Sequence, residues 1–213
     1  MLMRKMFRDI RSNAGQFISI VLLSALTLLM FTSFKSSDIG AVTAMDKFFK
    51  ECNQGKGWIY GENLSDDQLE EIEQLSGVKE AQFRTRLKGE TADQGKAELD
   101  LFLEDENLVS RPKVIEGKQI DLNDKDAIWI SEKFAKIWGL KPGDEFKYEI
   151  NGETINKKIA GLIALPEYIY IKADKDVETN LKNLVYAVTA KKGHPNHEYI
   201  PNTEIIFTSD IED

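Results

Sequence analysis

Thiols and imidazoles are nearly absent from this sequence. One cysteine, Cys52, stands in 213 residues, so no internal disulfide can form. It has no histidine near it in sequence, and thiol chemistry is not implied. The two histidines, His194 and His197, both fall in "KKGHPNHEY". Hydrolysis needs a nucleophile, a base and a group that orients the base, and a loop containing Gly193 and Pro195 has little means of holding one rigidly. His194, His197 and Glu198 could in principle ligate zinc, but an H-x-x-H without cysteine support reads as a solvent-exposed loop. "DLNDKD", residues 121–126, misses the calcium-loop pattern, because Lys125 takes the fifth ligand position and Asp126 replaces the turn glycine. It reads as a solvated acidic loop. There is no G-x-x-x-x-G-K-[ST], so any ATP hydrolysis must come from another chain. No residue is therefore assigned a catalytic, cofactor-binding or metal-ligating role, and an enzyme is not expected.

What is present is one long apolar run. Between Arg11 and Lys35 lie twenty-three residues without a formal charge, in a chain that is 30% charged. As a helix they reach about 34 Å, enough for a hydrocarbon core of about 30 Å. The polar residues inside the run, among them Ser19, Ser24, Thr27, Thr32 and Ser33, are uncharged, and their hydroxyls can bond back to helix carbonyls. With Gly15 and Ala25 they offer a small-residue face for another helix, although a lone anchor needs no such face.

The flanks orient the span. Arg4, Lys5, Arg8 and Arg11 outweigh Asp9, which keeps the amino end in the cytoplasm and places everything after the span outside. In "MLMRKMFRDIR", Met3, Met6, Phe7 and Ile10 share a helical stripe opposite most of the cations, as in a helix lying on the inner membrane surface. A merely basic tail satisfies the same topology rule. A signal peptide is the competing reading, but its apolar region is normally about 7 to 15 residues, and the nearest small-x-small site, ending at Ala44, lies well beyond the run. A lipoprotein site fails because Lys50 and Glu51 precede Cys52.

Five of the 28 cations and one of the 36 anions precede Ser36, leaving 23 against 35, a net −12, over the remaining 178 residues. Such a surface repels nucleic acid and anionic headgroups. The stretch is long enough for one sizeable core, and its lack of disulfides fits a bacterium without a strongly oxidising periplasm.

Helical spacing continues through Ile39, Val42, Met45, Phe48 and Phe49 to "NQGKG". "GWIYGE" reads as a strand, and "LSDDQLEEIEQLSG" as a helix capped by Ser65, boxed by Gln68, stopped by Gly77 and buried through Leu69, Ile72 and Leu75. Period two then takes over at Ala81, Phe83, Thr85 and Leu87, and again at Ala97, Leu99, Leu101 and Leu103. "AIWIS" predicts a strand, "SEKFAKIWG" a helix from Ser131 to Gly139, and "KPGD" a tight turn. "EFKYEI" and "ETINKKIAGLIAL" predict a hairpin about Asn151-Gly152. "EYIYIKA", "LVYAVTA" and "TEIIFTS" read as three further strands. The sum is an α+β, strand-rich domain on one N-terminal transmembrane helix. Residues 1–13 are read as cytoplasmic, 14–35 as the span, 36–55 as a stalk or linker and 56–213 as the extracytoplasmic domain. The aromatic set Trp58, Tyr60, Trp129, Trp138, Tyr168 and Tyr170 could mark a binding surface, but core positions account for most of it.

An ordered set of features carries a likeness. A basic amphipathic start and one span precede "LSGVKEAQFR". Then come Glu116-Gly117, the strand Ala127–Ile130, the helix Ser131–Trp138, "GLKPGD" at Gly139–Asp144, and a strand ending at Ile159–Gly161. Together they resemble the N-terminal part of FtsX-like, MacB-type permeases of ABC transporters, with a MacB-like periplasmic core. The segment after Leu181 matches least. Family permeases continue into at least three further spans, and no second apolar run occurs before Asp213. The resemblance implies a non-enzymatic transport component of the cell membrane. Its partners would be a cytoplasmic ABC ATPase, a second permease subunit in a dimer, and membrane lipid, with no nucleic acid and no cofactor. A single-pass, membrane-anchored binding or sensor module acting alone is the alternative. A secreted hydrolase, cleaved near Ala44 and dependent on His194 or His197, is a third.

Overall fold

A computed structural model of the chain describes residues 2–169 and 182–210. The chain divides into two units, Met1–Lys47 and Phe48–Asp213. The first is helical. Helix α1 covers Leu2–Ser12, and α2 starts at Ala14 and runs unbroken to Glu51, 38 residues or about 57 Å. Its apolar stretch is long enough to cross a membrane and none of it is buried within the protein. The hydroxyls in the run do bond back one turn: Ser19 donates to the Gly15 carbonyl at 2.9 Å, Thr27 to Leu23 at 2.9 Å and Thr32 to Leu28 at 2.8 Å. The side chains of Met3 and Phe7, needed for the amphipathic stripe, lie outside the described set.

The second unit is built on nine strands among the described residues. They are β1 (Gly57–Tyr60), β2 (Val78–Thr91), β3 (Glu98–Glu104), β4 (Lys113–Gly117), β5 (Ala127–Ser131), β6 (Glu145–Ile150), β7 (Glu153–Ala164), β8 (Leu184–Ala190) and β9 (Glu204–Ser209). Their order is β1-β9-β2-β3-β8-β5-β7-β4, and β6 pairs with both β7 and β2. The run β2-β3-β8-β5-β7-β6 therefore returns to its starting strand and closes a six-stranded barrel. Closure rests on the pairs Glu90↔Glu149 and Thr91↔Tyr148. The sheet is mixed, since β3 runs parallel to β8 and β5 parallel to β7.

Alternation along each strand fills the barrel. Leu99, Leu101 and Leu103 of β3 meet Ile128 and Ile130 of β5, Phe146 and Tyr148 of β6 and Val185 of β8, with Phe134 of helix α4 (Glu132–Trp138) among them. Outside the barrel, helix α3 (Asp66–Glu73) covers one face of β1-β9-β2 through Leu69 and Ile72, which pack with Ala81 and Ile205. Leu75, expected on that buried face, is 54% exposed because α3 ends at Glu73 and the chain turns away before reaching it. The predicted capping box leaves its mark, with the Ser65 amide donating to Gln68 Oε1 at 3.0 Å.

The predicted hairpin forms about Asn151 and Gly152, both at positive φ, pairing Ile150 with Glu153. Gly139 ends α4 in the left-handed conformation, and in the following turn the Lys141 amide donates to Asp144 Oδ2 at 2.8 Å. Ser131 occupies the cap position of α4, but its buried hydroxyl caps nothing and has no partner. Two readings need correction. Lys113–Gly117, read only as a turn at Glu116-Gly117, is strand β4, recruited by β7 at an edge. In "EYIYIKA", Glu167 and Tyr168 belong to a 3-10 turn begun by Pro166, whose ring fixes φ and supplies no ladder donor. The rest of that stretch, from residue 170, lies outside the described residues.

Candidate functional site

Strand β2 carries polar residues where period two predicts a solvated face. Gln82 and Arg84 are 0% and 2% exposed, so β2 is buried on both sides there. The reason lies in register. Trp58 opposes Ile206 and Tyr60 opposes Glu204 across β1 and β9, while Gln82 opposes Ile206 and Arg84 opposes Glu204 across β2 and β9. All six side chains stand on one face, opposite to the face that α3 covers.

That face holds two linked charge clusters. Arg84 donates from Nε to Glu104 Oε1 at 2.9 Å and from Nη1 to Glu167 Oε1 at 2.8 Å, and its Nη2 forms an ion pair with Glu104 Oε1 at 2.8 Å. Gln82 braces the same carboxylate, donating to Glu104 Oε2 at 2.9 Å while its own oxygen accepts the Leu108 and Val109 amides at 2.7 and 2.9 Å. Arg86 chelates Asp100, at 3.3 Å through Nε and 2.8 Å through Nη2, and Tyr168 Oη donates to Asp100 Oδ2 at 2.7 Å. Phe102 lies beneath both guanidinium groups, 5.0 Å from that of Arg84 and 5.7 Å from that of Arg86.

Electrostatics separate the members. Burial opposes the charge on Arg84, but Glu104 and Glu167 outweigh it and hold the guanidinium above its ordinary pKa. Burial pushes the Tyr168 hydroxyl up, and its bond to Asp100 adds to the shift, so it remains a donor. Burial also raises the Glu204 carboxyl, against the attraction of Arg84 and Arg86. Glu204 accepts no hydrogen bond from a described side chain, and Glu167 Oε2 is buried without a partner.

A cavity of about 510 Å³ opens onto this face. Trp58 and Tyr60 wall one side, Glu204, Arg84 and Arg86 form the floor, and Pro166, Glu167 and Tyr168 close the other side.

The aromatic set divides accordingly. Trp58, Tyr60 and Tyr168 line the cavity, Trp129 is core, Trp138 packs partly buried against the barrel interior, and Tyr170 lies outside the described residues. His194 is buried rather than solvent-exposed. Its Nδ1 lies 2.8 Å from the Pro195 carbonyl, Nε2 has no partner, and burial lowers its pKa. Cys52 is 2% exposed, and burial pushes its thiol up to about 11, away from reactivity. In "DLNDKD", Asp121 and Asp124 accept the Asn123 and Asp126 amides at 3.0 and 3.2 Å, which builds a loop. No group of three or more potential metal ligands occurs among the described residues.

No family model matches the chain, and neither does any curated protein. Solved structures are similar to it. The extracellular domain of the noncanonic ABC-type transporter YknZ from Gram-positive bacteria is 12% identical with a TM-score of 0.47, over 73% of this chain and 83% of that one. The periplasmic region of MacB from Actinobacillus actinomycetemcomitans is 14% identical with a TM-score of 0.43, over 73% and 68%. A domain described as that of a permease protein from Porphyromonas gingivalis is 17% identical with a TM-score of 0.40, over 76% and 65%. In the present chain one N-terminal apolar helix precedes the strand-rich unit.

Proposed function

We propose that this chain is the membrane-anchored N-terminal part of an FtsX-like, MacB-type permease of an ABC transporter, with its amino end in the cytoplasm and its strand-rich unit outside. The observation that carries the reading is the order of parts. A basic start and an uncharged span are followed by a unit in which β4, ending at Glu116-Gly117, then β5, α4, the Gly139–Asp144 turn and the β6–β7 hairpin succeed one another in order. In this reading ATP is hydrolysed by a cytoplasmic ATPase, the permease works as a dimer, and α2 passes nucleotide-driven motion outward. Residues 1–13 lie on the inner surface, 14–35 span, 36–55 form the stalk and 56–213 handle substrate.

Topology is the first test. Cys52 is too buried to serve as the probe, so it is replaced by Ala and a cysteine is introduced at Thr154, exposed beside the Asn151-Gly152 turn. Labelling of T154C by a membrane-impermeant maleimide in intact cells is expected; labelling only after lysis sinks the permease reading. The second reading, an anchored binding module working alone, is favoured by the cavity between Trp58 and Glu204. Co-purification of the chain with a nucleotide-hydrolysing subunit, in stoichiometric amount and lost on deleting residues 1–13, decides for the permease.

A further inference from the structure

The cavity beside β1 has an imbalance in its hydrogen-bonding groups. Arg84 is engaged by Glu104 and Glu167, and Arg86 by Asp100 and Tyr168. Two guanidinium groups thus face four carboxyl groups, those of Asp100, Glu104, Glu167 and Glu204. The acceptors left over are Glu167 Oε2 and the Glu204 carboxylate, the latter on a residue 6% exposed that lines the cavity. A buried carboxylate oxygen without a hydrogen-bond donor, as at Glu167 Oε2, is costly, and a group entering the cavity would supply that donor while meeting Glu204 on the cavity lining.

The walls favour the same sign of charge. Phe102 already faces two guanidinium groups, and Tyr168 stacks on Tyr186 with ring centroids 4.4 Å apart. The rings of Trp58 and Tyr60, two residues apart on β1, stand on the Glu204 side of the sheet, and Tyr60 is 69% exposed. An aromatic face beside a carboxylate attracts an organic cation, while anions are repelled by both. A volume of about 510 Å³ suits a ligand the size of one long side chain or a small amine.

We propose that this cavity binds an organic cation, an ammonium or guanidinium group on an aliphatic chain, with Glu204 and Glu167 as its carboxylate partners and Trp58 and Tyr60 as its aromatic walls. The bound group donates to Glu204 and to Glu167 Oε2, and its stem packs against Pro166 and the two rings. Arg84 and Arg86 on β2, Asp100 on β3 and Glu167 on the 3-10 turn are the charged groups facing Glu204. They hold the carboxylates in place rather than bind the ligand. Burial raises the Glu204 pKa, so binding of a cation should weaken as pH falls. Binding of this kind is a property of the chain itself and does not depend on the permease reading.

The test uses the full chain in phosphatidylcholine nanodiscs, titrated at pH 7.5 with agmatine, acetyl-Ala-Arg-Ala-amide, acetyl-Ala-Gln-Ala-amide and acetyl-Ala-Glu-Ala-amide and followed by calorimetry. Saturable binding of a basic probe is expected, with none of the neutral or acidic peptide. Agmatine alone binding points to a free amine; the basic peptide binding as well or better points to a peptide side chain; either supports the site. Glu204→Gln, which keeps shape and removes charge, is expected to weaken binding about tenfold or more, and Tyr60→Ala, at an exposed position, severalfold. Absence of binding by both basic probes overturns the proposal, as does binding of the acidic peptide. If Glu204→Gln fails to fold, Tyr60→Ala decides alone, and unchanged affinity in a folded variant overturns it equally.

Discussion

Arg84 and Glu204 stand directly opposite each other on β2 and β9, yet Arg84 gives its hydrogen bonds to Glu104 and Glu167, on β3 and the 3-10 turn. Glu204 is left with charge attraction alone, and its carboxyl is raised by burial. One guanidinium thereby joins three segments, engages two carboxyls and leaves a third facing the cavity.

Removing that guanidinium should be far more damaging than removing an exposed ion pair. Arg84→Met leaves Glu104, 2% exposed, without its counter-charge, and is expected to cost about 3 to 5 kcal/mol in urea denaturation of the full chain in detergent. Adding Glu104→Gln to Arg84→Met should recover part of the loss. A double variant no more stable than the single would show that the pair is not the source of the effect.

Gly117 and Gly152 separate two reasons for glycine. Both have positive φ, +94° and +82°, but a Cβ on Gly117 would stand 2.5 Å from the Ala160 carbonyl oxygen, whereas one on Gly152 meets nothing within 4 Å. Gly152→Ala should cost about 1 to 2 kcal/mol from backbone conformation alone. Gly117→Ala should cost about 2 to 4 kcal/mol, because the β4–β7 pairing must also shift. Equal losses in thermal denaturation would remove the steric part of this account.

His194 should contribute a loss of stability on mild acidification. Burial, with Lys157 adding to it, lowers the folded-state pKa below 6.5 against the bond to the Pro195 carbonyl. Above pH 6.5 both folded and unfolded chains hold the ring neutral. As pH drops below that value the unfolded chain takes up the proton first, and stability is lost until the folded pKa is passed. His194→Gln should show a smaller decrease in Tm between pH 7.5 and pH 5 than the native chain; parallel curves would contradict this.

Helix α2 gives the coupling proposal its most direct test. Proline at Val42 removes a hydrogen bond and places its ring against the preceding turn, which breaks or kinks the helix between the apolar run and Glu51. In the intact, reconstituted transporter, Val42→Pro should lose coupled ATPase stimulation while the strand-rich unit keeps its circular dichroism. Unchanged stimulation counts against α2 as the link.

Local chemistry made several elements legible from the sequence. The uncharged run, the Asn151-Gly152 hairpin, α4 with its Gly139 stop and the alternating strands β2 and β3 each depend on residues within one turn or one hairpin of each other. The strand expected at Glu167–Tyr168 failed because Pro166 sets a 3-10 turn, and β4 was missed because an edge strand of five residues needs its partner to reveal it.

By itself, the sequence determined the long apolar helix, the turns and most of the alternating strands, because hydrophobic period, charge and special backbone conformations act over a few residues. Only the tertiary structure decided that β6 returns to β2 and closes a barrel. It also brought Arg84, Glu104, Glu167 and Glu204 onto one face, and turned a strand flank that reads as solvated into a buried ionic floor. Those outcomes depend on pairings between distant segments, such as Arg84↔Glu204, 120 residues apart. Period two states which residues share a side of a strand but not what lies against that side. That is fixed when distant strands dock, and a charged residue can be buried there because its counter-charges arrive with them.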